Sequence, residues 1–368
     1  MKIGISGFSI HGTGKRGGFW EYFKTLIKIL SKKIENEEVF VFIPKGILEE
    51  LDKINNKNFN FIEINTFKKG TQYFECFILP FYLKKYKINV LHFPNFASPL
   101  FLNIPYVITV HDLAFLKFKE GFKRHDLFYW RNIFRLAVKK ASLIIAVSEN
   151  TKKDLNFFWN IPLNKIKVLP SFSSLIYEDV KEIKEKYNLK YPYFLFVGTL
   201  EPRKNLERTI EAFLSFSKKI EENVKLILIG QRGWKCERIL RKIEENKGKI
   251  IWFNNISKKE LPFFYKNAIA LLYPSLYEGF GLPIIEAYKF NLPAITSNVS
   301  SLPEVAGKGA ILVNPYDIKE IESAILKIYL DKDLKSKIVE YQKEEIKKYD
   351  YERIGEEILS LYRSLVKI

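Results

Sequence analysis

The chain has 368 residues, of which 47% are hydrophobic and 28% charged, a balance that supports packed cores and excludes wholesale disorder. Its length predicts two domains, and its apolar runs fall short of the ~20 residues needed to span a bilayer. Lys and Arg number 60 against 42 Asp and Glu, a net charge of +18; residues 1–170 hold 27 basic and 14 acidic side chains, so most of the excess lies in the first half. Such a surface suits polyanions, anionic lipid or simple solvation. The two cysteines, Cys76 and Cys236, have no metal-ligand or redox spacing, and the first residues lack a signal-peptide layout. The expectation is a cytoplasmic protein, possible at the inner face of the plasma membrane.

In chain order, short β-rich runs alternate with amphipathic helical stretches. This pattern predicts an α/β fold with parallel sheets. The first-half strands are read at 2–6, 39–43, 59–64, 89–93, 106–110, 143–147 and 166–169. A Pro/Ser-rich break follows at Pro170–Ser174, and the pattern restarts at 193–197, 224–229, 250–253, 268–273, 294–296 and 310–313. The reading is two Rossmann-like domains, 1–172 and 173–350, with a terminal helix over 351–368 that packs back on the first.

The loop before the first helix, His11–Gly18, offers glycines for close backbone approach to phosphate. It fails as a Walker A loop because Arg16 stands where Ser or Thr is required. His111 and Asp112 follow a buried strand, so they sit at a carboxyl edge where ligands bind in such folds. Between 115 and 140, aromatic residues interleave with Lys and Arg. This pattern fits a face lying on anionic lipid, or a core with wet lysines around it.

In the second half, Gly198 ends the strand over 193–197, and Arg203 and Lys204 then precede a helix over 205–218. Two cations at that place make an anion site. Later, Tyr273–Ala287 runs from a strand through Glu278-Gly279-Phe280-Gly281-Leu282 into a helix carrying Glu286. The glycines and free helix amides fit close ligand approach, and the two carboxylates suit sugar and ribose hydroxyls. Gly230 and the turn at Asn254 follow two further strands. Asp331-Lys332-Asp333 spells a D-x-D metal signature, but it sits between helical, charged stretches and reads as a helix cap.

These segments resemble the retaining GT-B glycosyltransferases of family four. The resemblance rests on Glu278–Glu286 (the E-x7-E motif), Val197–Leu206, Ser300–Gly307 with Ala310–Pro315, and His111-Asp112-Leu113. It implies two Rossmann-like domains facing each other across a cleft, the first binding acceptor and the second a nucleotide sugar. Arg203 and Lys204 would hold the diphosphate, with Gly17 and Gly18 nearby. Glu278 would orient the sugar with the amides of Gly279, Phe280, Gly281 and Leu282, and Glu286 would grip the ribose. His111 would stand beside the transferred sugar with Asp112 at the same edge, while Gly198, Gly230 and Asn254 would border the nucleotide. The family usually has glycine where Asn254 stands.

His92–Leu100 with Val107–Ala114 is most similar to bacterial mannosyltransferases of surface-polysaccharide assembly. This implies mannosyl transfer from GDP-mannose to a saccharide or lipid-linked oligosaccharide, with no metal and no cofactor. A UDP- or dTDP-sugar donor with the same chemistry is the alternative. A phosphorylase or epimerase finds no signature here, and a basic nucleic-acid-binding protein would leave Glu278 and Glu286 without a use.

Overall fold

The computed structural model describes residues 1–8, 18–51, 54–65, 73–97, 99, 101–172, 186–187 and 189–366. The chain divides into two compact units, 1–174 with 350–368, and 175–349.

The first unit is built on a seven-stranded parallel sheet. Its strands are β1 (Lys2–Ser6), β2 (Glu38–Pro44), β3 (Phe59–Ile64), β4 (Val90–Phe93), β5 (Tyr106–Val110), β6 (Leu143–Ala146) and β7 (Ile166–Val168), in the order β3-β2-β1-β4-β5-β6-β7. The strands carry almost unbroken apolar runs because each face of the sheet is covered. Two apolar clusters lie on them. One gathers Phe42, Leu91, Phe93, Ile108, Phe115, Phe134 and Trp159. The other joins Ile3, Ile5, Phe23, Leu26 and Val107 to Ile354, Ile358, Leu359 and Tyr362 of the terminal helix Tyr351–Val366. That helix exposes Glu352 and Glu356, which pair with Lys32 and Lys33 on the first helix, Gly18–Lys33.

The second unit holds a six-stranded parallel sheet of β8 (Tyr193–Val197), β9 (Lys225–Ile229), β10 (Ile250–Phe253), β11 (Leu271–Tyr273), β12 (Ala294–Ser297) and β13 (Ala310–Val313). Its order is β10-β9-β8-β11-β12-β13. In both sheets the strand order reverses beside the first strand of the unit, between β1 and β4 and between β8 and β11. At such a reversal the crossovers leave in opposite directions, and the carboxyl ends of the two strands are left open to a ligand.

Along 115–140 the aromatics turn mainly inward. Phe115 and Phe134 are fully buried, Phe122, Tyr129 and Trp130 pack against them, and Phe128 stays in solvent. Of the two readings of this stretch, the core takes most of the rings. Ser148 caps the helix Glu149–Trp159 by accepting from Thr151 N at 3.0 Å.

Candidate functional site

The best-defined polar cluster of the second unit lies beyond the carboxyl ends of β8 and β11. After β8 the chain makes a short turn, Pro202–Lys204, and enters the helix Leu206–Ser217 through Asn205 in a left-handed conformation, φ 60°. Asn205 fixes this turn through its amide, which donates to Pro274 O at 3.0 Å and Pro315 O at 2.6 Å. The segment after β11 is tied to it by Leu276 N, which donates to Arg203 O at 2.8 Å. Two pieces of chain some 70 residues apart are thereby locked side by side.

Their side chains interlock. Arg203 Nη1 donates to Glu278 Oε2 at 2.8 Å and to Tyr277 O at 2.8 Å, and Arg203 Nε donates to Glu201 Oε1 at 3.0 Å. Lys204 Nζ donates to Glu278 Oε1 at 2.6 Å and to Tyr273 Oη at 2.9 Å, while Tyr273 Oη donates to the same carboxylate oxygen at 2.9 Å. Lys204 is 8% exposed and Glu278 6%. Burial by itself would raise the Glu278 carboxyl, but Arg203 and Lys204 bring it down to about 2. Burial also lowers the Lys204 ammonium, against the pull of Glu278. Glu278 is therefore ionised at neutral pH. Two cations and two carboxylates, Glu201 included, balance in charge within the cluster.

The backbone around Glu278 is held from β12's side. Ser300 Oγ donates to Glu278 O at 2.6 Å, and Ser301 Oγ bonds the carbonyls of Glu278 and Phe280 at 3.0 and 2.8 Å. Gly281 then takes φ +114°, and a Cβ there would meet Leu302 at 2.8 Å, so the tight entry into the helix Leu282–Lys289 needs glycine. Glu286, half-buried on that helix, accepts from Tyr265 Oη at 2.7 Å. At the ends of β8 and β9, Gly198 and Gly230 touch: a Cβ on Gly230 would fall 1.9 Å from Gly198 O. Trp252 Nε1 donates to Gly230 O at 2.9 Å, with Arg232 over its ring. Asn254 is exposed after β10 and does not take the positive φ open to the glycine it replaces.

The first unit holds His111 and Asp112 just after β5. His111 is half-buried between the rings of Phe19 and Tyr22, at 4.9 and 4.7 Å, and its Nε2 lies 2.9 Å from Pro94 O. A carbonyl only accepts, so Nε2 carries the hydrogen. Burial lowers the ring to about 4 and keeps it neutral, which leaves Nδ1 as an acceptor. Asp112 Oδ1 accepts from Ala114 N at 2.9 Å and forms a turn. Gly18 opens the first helix and is exposed; Gly17 lies outside the described residues. Asp331 accepts from Leu334 N at 2.8 Å as the cap of the helix Lys332–Glu345.

Sequence reasoning missed Glu201 and Tyr273 as members of the Arg203 cluster. Glu201's signal is its place two residues before Arg203 in the turn; Tyr273 looks like an ordinary buried strand residue until the fold points its hydroxyl at Lys204.

Comparison with known proteins gives the family of the chain. Residues 16–172 match the Glycosyltransferase Family 4 profile and residues 179–345 match Glycosyl transferases group 1. The chain is 27% identical over 367 residues to O-antigen chain mannosyltransferase B of Escherichia coli, covering 95% of this chain and 96% of that protein. It is 30% identical over 271 residues to an uncharacterised glycosyltransferase of Methanocaldococcus jannaschii, covering 72% and 70%. Among solved structures, a sucrose-phosphate synthase from Thermosynechococcus elongatus superposes with a TM-score of 0.79 at 20% identity, over 99% of both chains. The chain belongs to the family-four, group 1 glycosyltransferases and has their GT-B fold.

Proposed function

We propose that this glycosyltransferase moves mannose from GDP-mannose onto a saccharide or lipid-linked oligosaccharide during surface-polysaccharide assembly, with retention of configuration and without a metal. The observation that carries the donor site is the buried Arg203–Lys204–Glu278 cluster at the strand-order reversal of the second unit. Its full-length similarity to an O-antigen mannosyltransferase supports the sugar.

In this reading the donor's diphosphate takes Arg203 and Lys204 from their carboxylate partners, and both cations then stabilise the departing nucleoside diphosphate. Glu278, released but ionised, accepts hydrogen bonds from hydroxyls of the sugar. Glu286 accepts from the ribose. The amides of Gly279 to Leu282 face the same ligand. The first unit takes the acceptor, and the neutral His111 ring offers Nδ1 to a substrate hydroxyl. No carboxylate is assigned as a covalent nucleophile, so the acceptor hydroxyl attacks on the face that diphosphate leaves.

A screen of GDP-, UDP- and dTDP-sugars by thermal shift and donor hydrolysis tests this. GDP-mannose should raise the melting temperature, and Lys204→Ala should abolish the shift. Stabilisation by a UDP- or dTDP-sugar alone overturns the donor, and no response to any nucleotide sugar overturns the site.

A further inference from the structure

The segment Phe74–Leu83 is apolar apart from Glu75, yet it forms a surface element: a π-helical turn, Phe74–Ile78, running into the helix Leu79–Tyr86. Its inner residues, Phe74, Leu79 and Leu83, are buried in the first unit's core, and Tyr82 and Tyr86 pack against it. The outward face of a surface helix is ordinarily polar. Here it presents Phe77, 53% exposed, and Phe81, 74% exposed, four residues apart on one side. Phe101, 65% exposed, comes from a separate loop to lie 6.4 Å from the Phe77 ring. The stripe continues into Lys84 and Lys85, both exposed, with Lys87 just beyond. Glu75, the acidic residue of this stretch, is buried and points away from solvent.

We propose that this stripe docks the first unit on an anionic lipid surface, with Phe77, Phe81 and Phe101 entering the acyl boundary while Lys84, Lys85 and Lys87 meet the headgroups. The pattern of apolar rings capped by lysines, free of exposed acid, is complementary to such a surface and unsuited to a neutral or basic partner. The location differs from the basic stretch at 115–140, whose rings mostly fill the core. This inference is independent of the sugar transferred, because lipid binding is read without donor or acceptor.

The test is co-sedimentation of the full chain with vesicles of phosphatidylglycerol mixed with an equal amount of phosphatidylcholine, and with phosphatidylcholine alone. Binding should favour the anionic vesicles and weaken as salt rises. Replacing Phe77 and Phe81 by Asp should lower partitioning by about tenfold per ring. Lys84→Glu with Lys85→Glu should remove the preference for anionic lipid. Both pairs are solvent-facing, so circular dichroism and the melting temperature should match the parent. Failure of the parent to bind anionic vesicles, or equal binding by the Phe77→Asp/Phe81→Asp variant, overturns the proposal. So does a concentration-dependent dimer that the same variant abolishes, since the stripe would then pair with a second copy. A null donor screen leaves this result untouched, which separates the two readings.

Discussion

Tyr362, on the terminal helix, places its hydroxyl 2.5 Å from His92 Nδ1, although 270 residues separate them. The other ring nitrogen lies 2.8 Å from Thr109 Oγ1, which is 3.3 Å from the Tyr22 hydroxyl. One polar chain thus joins the terminal helix, β4, β5 and the first helix through an apolar core. Burial, with a smaller contribution from His111, lowers His92 to about 3, so the ring is neutral. Tyr362→Phe strands a ring nitrogen and should cost about 1–3 kcal/mol, read by urea denaturation. A midpoint equal to the parent's would show that the bond contributes nothing.

Acid should destabilise the protein over a defined window. Below pH 6.5 the unfolded chain protonates His92, while the folded chain resists until about 3. The unfolded state then binds more protons, and stability falls by up to about 1.4 kcal/mol per pH unit as pH drops. His111, lowered to about 4, acts in the same direction. Glu278 stabilises fully above its ordinary 4.5 and loses that contribution as pH falls toward 2. Melting temperature should decline steadily from about pH 6.5 downward. A flat profile to about pH 4 would show that His92 is not held neutral.

Lys204→Ala should lower kcat/KM by roughly 10²–10³-fold, as removal of one charge-stabilising donor does elsewhere. It should also destabilise the second unit, because Glu278 stays buried with Arg203 as its remaining cation. Lys204→Arg should not restore activity, since a guanidinium cannot occupy the compact site between Tyr273 Oη and Glu278. Donor kinetics with denaturant unfolding separate the two effects, and a variant that keeps parental kcat/KM would remove Lys204 from the mechanism.

Two glycines predicted to serve the donor should behave oppositely. Gly230→Ala drives a Cβ onto Gly198 O at 1.9 Å and should cost more than about 3 kcal/mol or prevent folding. Gly18→Ala meets nothing within 4 Å among the described residues, in a first helical turn, and should be neutral or stabilising by up to about 1 kcal/mol. Melting temperatures of the two variants decide; similar values would mean that the β8 and β9 ends can separate.

The alternation of apolar runs and amphipathic stretches placed all thirteen strands of the described residues to within a few residues, because buried parallel strands must be apolar on both faces. It also put Arg203, Lys204 and Glu278 at strand ends, since the residues that follow a parallel strand emerge at the ligand edge. By itself, then, the sequence determined the architecture and which chemical groups stand at its edges. It could not show that Glu278 closes on both cations, that Glu201 and Tyr273 complete the cluster, or that Asp112 is spent on a turn. Glu278 and Tyr273 meet the two cations across some 70 residues, which no local pattern encodes, while Glu201 and Asp112 pair two residues away and depend on side-chain directions that only the folded turn sets. The direction of the aromatic residues was equally hidden. Phe115 and Phe81 look alike in the chain, yet the fold buries one and turns the other to solvent, because only packing decides which side of a short helix meets the core.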